Sequence, residues 1–332
     1  MQLSYAQNLE DYHLSLLFPD QAHGTYIDIG GGHPVADNVS FWFYLKGWSG
    51  LVVEPQQPLA GLYSHIRPRD VIETCLVGRA DGEADFHVVE RLHGFSTTLV
   101  AHAESARQFG AGYATVRKPV RPLASLCASH GLGTIDFLKI DVEGAEADVL
   151  AGADWTRFRP RVVLVEAIAP GSMQQAHGGW EHLITTHRYH FAHFDGLNRF
   201  YLAEEARALA QRFPSEKTPW DRTRHLYEFA RAPDTAAHPD HRLARALLDG
   251  FLAALPTLPK AQLAELLRRS TAVAEAEGQG ASALAELIHG SAEFPGKIAT
   301  EAMSLSALLA TDRARAALGR IAAPYDGGQL LD

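Results

Sequence analysis

Three short stretches carry residues whose types and spacing suit a small, positively charged ligand. The first is Asp28-Ile29-Gly30-Gly31-Gly32, at the end of the apolar run Thr25–Gly30. Glycines there permit a tight turn and a close approach of backbone to ligand. The second is Glu54, which ends Gly50–Glu54 and is followed by Pro55. An acid at a strand end accepts hydrogen bonds from a ribose diol. The third is Lys139-Ile140-Asp141-Val142-Glu143-Gly144-Ala145-Glu146. Lys139 and Asp141 share one face of a strand, and charges in a central strand are costly unless paired or used. Asp141 falls at the carboxyl end, where ligands bind to doubly wound sheets. Glu143 and Glu146 open the following segment, where acids also serve simply to complement a helix dipole.

Glycine spacing separates two kinds of nucleoside ligand. Dinucleotide folds use G-x-G-x-x-G to set a pyrophosphate on a helix N-terminus. Here Gly32 is followed by His33 and Pro34, and Val35 stands where a third spaced glycine would be. Asp28 precedes the glycines, and a carboxylate there suits a sulfonium or an ammonium and repels a pyrophosphate. The expected cofactor is S-adenosyl-L-methionine, held by Asp28, Gly30, Gly31, Gly32, Glu54, Pro55 and Asp141. A plain structural turn is the alternative for the glycines, as is a turn residue for Asp141.

Parallel strands must position these groups. Thr25–Gly30, Gly50–Glu54, Val71–Val77, Phe137–Asp141 and Val162–Glu166 are short runs rich in Val, Ile and Leu, as strands buried on both faces are. Helices are predicted over Asp37–Lys46, Pro58–Arg67, Pro122–His130 and Ala145–Ala151, so the pattern is α/β with helices on both faces of a parallel sheet. Ala84–Val89 follows the turn pair Asp81-Gly82 and reads as a hairpin or edge strand. Tyr189–Asp195 and Arg199–Ala203 flank Gly196-Leu197-Asn198 as an antiparallel pair. Composition shifts after Phe213, which sets two regions, 1–212 and 213–332. In the second, amphipathic helices are predicted over Arg242–Leu255, Lys260–Glu277, Ala281–His289 and Thr300–Leu318.

The chain has 332 residues, a hydrophobic share of 46% and a net charge of -9. That is ample for a core without disulfides or structural metals. Its charges are mixed, with no basic stripe, which speaks against a nucleic-acid partner. Cys75 and Cys127 sit among apolar neighbours and read as buried thiols in a reducing compartment. No apolar stretch reaches the roughly 20 residues of a membrane span, and the N-terminus lacks the pattern of a signal peptide. A cytoplasmic protein is expected.

The ordered motifs resemble the FkbM family of methyltransferases. They are Ser4-Tyr5-Ala6-Gln7-Asn8-Leu9-Glu10-Asp11, Tyr26–Gly30 with His33-Pro34, Gly47–Pro55, Lys139–Glu146 and Asp195–Tyr201. They span about the first 205 residues. The resemblance implies a Rossmann-like class I methyltransferase sheet, with S-adenosyl-L-methionine as methyl donor. It implies O-methylation of a hydroxyl on a sugar, glycan or glycosylated secondary metabolite. Two departures stand out: Leu9 occupies a position that is commonly glycine, and Gly31-Gly32-His33 replaces a Gly-Ala-Asn type loop. The C-terminal helical extension matches no feature of the family and is expected to cap the acceptor or to form a homo-oligomer.

Methyl transfer is an in-line displacement in which alignment supplies much of the catalysis, and a hydroxyl acceptor gains from a base or a metal. The expected catalytic residues are His193, Asp141 and His33, with His190 a further candidate base and Asp195 close enough in sequence to orient His193. Some sugar O-methyltransferases of this fold hold a divalent cation at successive strand ends, and Asp141, Glu166 and Asp195 match that arrangement, with oxygen ligands that suit Mg2+. Trp42, Trp48, Phe95, Tyr113, Trp180 and Tyr201 are candidates to stack on a glycan. Gly94–Val100 and the loop Pro170–Gly179 are expected to cover the acceptor. Alternatives stay open: methylation of nitrogen or a carboxylate, a nicotinamide oxidoreductase, or a cofactor-binding scaffold for a helical interaction module.

Overall fold

Strand alternation builds the core. In the central strands, Ile27, Ile29, Leu51, Val53, Leu138, Ile140, Val163 and Val165 pack into one cluster, while Tyr26, Val52, Phe137, Val162 and Leu164 pack into another. Successive side chains leave a strand on opposite faces, so these runs are apolar throughout because both faces are covered.

A computed structural model describes residues 3–90, 92–169, 174–216, 219–229, 231–270, 304–311 and 314. The chain divides into two compact units, Met1–Glu228 and Phe229–Asp332. The first runs β1 (Leu3–Ser4), α1 (Glu10–Leu17), β2 (Thr25–Ile29), α2 (Phe41–Leu45), β3 (Ser49–Val53), α3 (Gln57–Ile66), β4 (Val71–Glu73), β5 (Leu76–Gly78) and β6 (Gly82–Val89). It continues with α4 (Val100–Ser105), β7 (Tyr113–Pro122), α5 (Leu123–Ser129), β8 (Phe137–Ile140), α6 (Glu146–Ala151), β9 (Val162–Glu166), α7 (His182–Thr185), β10 (Tyr189–Phe194), β11 (Asn198–Ala203) and β12 (Arg224–His225).

The main sheet has seven strands in the order β10-β11-β9-β8-β2-β3-β4. β4, β3, β2, β8 and β9 are parallel, and the β10–β11 hairpin closes one edge antiparallel. The order reverses between β2 and β8, and the crevice at such a switch point is where α/β sheets bind ligands.

Two boundaries need correction, and one predicted strand gains a partner. Val71–Val77 is not one strand: it splits into β4 in the main sheet and β5 in a separate three-stranded sheet, β5-β7-β6. The predicted hairpin or edge strand Ala84–Val89 is found as β6, two residues longer, at the edge of that sheet and antiparallel to β7, a strand that sequence patterning missed. The first unit also runs past residue 212, because Leu3 and Ser4 pair with Arg224 and His225.

Described separately, the second unit contains α8 (His241–Ala254), α9 (Lys260–Arg268) and α10 (Leu305–Leu309), with Leu255, Leu263, Ala264 and Leu309 buried together. The predicted helix Ala281–His289, most of Thr300–Leu318 and the end of Lys260–Glu277 lie outside the described residues. Among the described residues, no helix is long and apolar enough to cross a membrane.

Candidate functional site

The loops after β2, β3 and β8 and the β10–β11 turn surround a cavity of about 800 Å³. Its volume falls in the usual range for small-molecule sites. Gly30, Gly31, Gly32, Glu54, Pro55 and Asp141 all line it.

The glycines are needed here for two reasons. Gly30 has φ +76°, and a Cβ on it would lie 1.7 Å from the Asp141 carbonyl oxygen. Gly31 backs onto the core, where a Cβ would lie 2.4 Å from Val52 Cγ1, whereas Gly32, at φ +57°, faces open space. The amides of Gly30 and Gly31 both donate to the Val53 carbonyl, at 2.9 and 3.1 Å. Glu54 then clamps the loop: its Oε2 accepts from the Gly32 amide at 2.8 Å and its Oε1 from Gln56 at 2.7 Å. Burial pushes the Glu54 carboxyl up, and the two amides pull it back.

Asp28 is placed differently from the expectation. It is fully buried and does not line the cavity. Strand alternation turns it beneath the loop, on the Tyr26 side of the sheet. There it accepts from Ser40 Oγ at 2.6 Å and lies 3.4 Å from Lys139 Nζ. Lys139 also donates to the Gly30 carbonyl at 2.6 Å and pairs with Asp141 at 3.3 Å. Burial lowers the affinity of Lys139 for its proton, but Asp141 and Asp28 outweigh it and keep the ammonium charged. Asp28 thus reaches the loop through Lys139 and does not face the cavity.

Acids gather on the far side of Asp141. Carboxylate oxygens of Asp141, Glu143 and Glu166 lie within 4.8 Å of one another. Burial, then the neighbouring carboxylates, push Glu143 up to about 9 and Glu166 up to about 11. Glu143 has φ 54°, a left-handed conformation rare outside glycine. Its carbonyl accepts from Thr97 Oγ1 at 2.8 Å and lies 3.0 Å from His102 Nδ1. Glu146 instead accepts from the Gly144 amide at 3.0 Å, the turn-capping role expected for it.

Asp195 lines the cavity but stands outside this trio. Its Oδ1 accepts from the amides of Leu197 and Asn198, at 2.8 and 2.6 Å. The expected metal set of Asp141, Glu166 and Asp195 is not brought together: the carboxylates that meet among the described residues are those of Asp141, Glu143 and Glu166, while Asp195 holds its own turn. Asn198 Nδ2 joins Asp195 to Glu10, donating to Glu10 Oε1 at 2.7 Å. Burial, then Asp195, raises Glu10 to about 8, and burial raises Asp195 to about 6.

This geometry coincides with a known domain: the methyltransferase FkbM domain matches residues 28–193, half of the chain. The chain belongs to the FkbM methyltransferase family. Among curated proteins, no relative matches it.

Within this FkbM domain the cavity wall takes in one of the three expected histidines, His33, and neither His190 nor His193. His193 is outside the cavity, in a ring cluster: stacked on Phe213 at 4.8 Å, with His13 at 4.8 Å and Phe200 at 5.7 Å. A register shift between Phe191 and His193 accompanies this placement on the edge strand. His190 pairs with Glu204. His33 does line the cavity, but its Nδ1 accepts from the amides of Val35 and Ala36, both at 3.1 Å. Nδ1 is thereby occupied by the backbone of its own turn.

Of the six aromatic candidates, Phe95 lines the FkbM cavity, joined by Phe86, which the sequence reading did not single out. Trp48, Trp180 and Tyr201 are buried in the core. Gly94–Val100 contributes Gly94, Phe95, Ser96 and Thr98 to the wall, whereas Pro170 to Met173 of the second expected loop lie outside the described residues.

Proposed function

We propose that the chain is an S-adenosyl-L-methionine-dependent O-methyltransferase acting on a hydroxyl of a neutral sugar, glycan or glycosylated metabolite. The strand order, with its switch point and antiparallel closing hairpin, supports a Rossmann-like class I sheet. One observation carries the reading: Glu54 and the Gly30–Gly32 loop face the same cavity at adjoining strand ends. The residues fit the cofactor. Gly32 leaves open space beside bare backbone, and Glu54 retains lone pairs for ribose hydroxyls beyond the two it gives to amides.

When bound, the cofactor supplies an electrophilic methyl group and a positive charge. The chain's own groups do the rest. Glu54 orients the ribose, Lys139 fixes Asp141 and the glycine loop, and the acids beyond Asp141 receive the charge. A carboxyl of this cluster, Glu143 or Glu166, ionised beside the cofactor's positive charge, takes the proton of the acceptor hydroxyl. If the reaction uses a magnesium ion, the same three carboxylates are the oxygen set to hold it. Turnover lost to a chelator and restored by magnesium would support that.

The test uses methyl-labelled cofactor with acceptor panels of neutral glycosides, amines and carboxylates. Label incorporated into glycosides and stable to mild alkali marks an ether and supports O-methylation. Alkali-labile label marks an ester, and label on amines marks nitrogen; either outcome replaces the hydroxyl assignment. For the helical region after Glu228 we propose a role as acceptor cap or oligomerisation element. Deleting it distinguishes the two, since lost turnover supports a cap and altered assembly with unchanged turnover supports association.

A further inference from the structure

Behind the glycine loop lies a buried polar network outside the cavity wall. Arg67, Asn38, Ser40 and Tyr63 are each at most 1% exposed. Arg67 donates to Asp70 at 2.7 Å, to Tyr26 at 2.9 Å, to Ser40 at 2.8 Å, to Asn38 Oδ1 at 2.8 Å and to the Pro34 carbonyl at 3.2 Å. Asn38 Nδ2 in turn donates to the Gly31 carbonyl at 2.8 Å and to Tyr63 Oη at 3.0 Å. Tyr63 Oη donates to the same Gly31 carbonyl at 2.8 Å.

We infer that Arg67, Asn38 and Tyr63 are positioning residues that set the glycine loop for cofactor binding. The chemistry fixes the direction of every bond. A guanidinium only donates, so the Asn38 oxygen must face Arg67 and its amide hydrogens must face Gly31 and Tyr63. Two donors then converge on one carbonyl, while Glu54 holds the next amide, that of Gly32, from the cavity side. The loop is gripped by donors on one face and by a carboxylate on the other. Arg67 also holds the Pro34 carbonyl, just beyond the loop, directly, and reaches Gly31 through Asn38.

This inference rests on the cofactor reading above. Two variants test it. Asn38→Asp keeps the size and the Arg67 contact but sets an oxygen against the Gly31 carbonyl. Tyr63→Phe removes one donor and keeps the ring. Calorimetry with S-adenosylhomocysteine should show binding weakened roughly three- to tenfold in Tyr63→Phe, the usual range for one hydrogen bond, and more in Asn38→Asp. KM for the cofactor should rise while kcat holds. Leu126→Ala, a core variant in α5, serves as a control that lowers thermal stability without moving affinity. Hydrogen exchange of a peptide spanning residues 29–36, without ligand, should quicken in both loop variants and not in the control. Affinity that merely tracks melting temperature across all three proteins, or exchange unchanged in the loop variants, overturns the inference. A wild-type protein that ignores S-adenosylhomocysteine while the loop variants still quicken exchange defeats the cofactor reading and leaves the positioning role standing.

Discussion

The two halves of the cavity are built on opposite electrostatic plans. Around Gly30–Gly32 the charged groups are matched: Glu54 by two amides, Asp28 by Ser40 and Lys139, and Arg67 by Asp70. Around Glu143 and Glu166, carboxylates face one another, and burial raises their proton affinity. A matched half is rigid before ligand arrives, and pre-organised groups lose less on binding. The acidic half holds protons, as carboxyls that ionise beside an incoming positive charge would. On the proposed reading, cradle and chemistry are separated along one sheet, with Lys139 at the seam.

The largest expected effect comes from breaking that seam. Lys139→Met leaves Asp28 buried without its cation, which should cost about 3–5 kcal/mol of stability in denaturant unfolding. A loss under about 1 kcal/mol would mean that the two halves are not joined there.

Glu54→Gln sharpens the comparison from the matched side. It should weaken S-adenosylhomocysteine about tenfold, as loss of a charge-assisted contact does, with kcat little changed. An equal fall in kcat would place Glu54 in the chemistry and blur the division.

A smaller effect is expected from the acidic side. Glu143 is raised from 4.5 to about 9 on folding. Between those values the folded state binds more protons than the unfolded one, so wild-type stability should fall as pH rises through that window. Glu143→Gln should flatten the fall while lowering turnover, measured as unfolding midpoints from pH 5 to 9. A slope unchanged by the substitution would remove Glu143 from the cluster's charge balance.

The least effect is expected from His193→Phe, which keeps a ring on Phe213 away from both halves. Turnover within about twofold of wild type is the expectation for a change outside the site. A large loss of kcat would return His193 to the role first expected of it.

The legible parts of this chain were those with local causes. Unbroken apolar runs betray strands covered on both faces, and Glu54 follows directly from one of them. The glycine loop was legible because only bare backbone fits beside the Asp141 carbonyl. β7 was hidden because none of its residues is buried and its sequence carries Arg117, Lys118, Pro119 and Arg121, which read as a loop. No local pattern joins Arg67 to Asn38, or Tyr63 to Gly31, since those contacts span 29 and 32 residues. Asp28 could have been read correctly: in a strand it shares the face of Tyr26, and that parity sends it beneath the loop. Leu9 shows the converse. It takes a left-handed φ of 64° as the residue before α1, where glycine would be free of strain. Full burial of the leucine offsets that strain.

The most direct measurement is a calorimetric titration of the full chain with S-adenosylhomocysteine and, separately, with a nicotinamide dinucleotide. Saturable single-site binding of the first, weakened by Glu54→Gln, with no heat from the second, is the predicted result. No binding of S-adenosylhomocysteine at millimolar concentration, or a preference for the dinucleotide, would contradict the account.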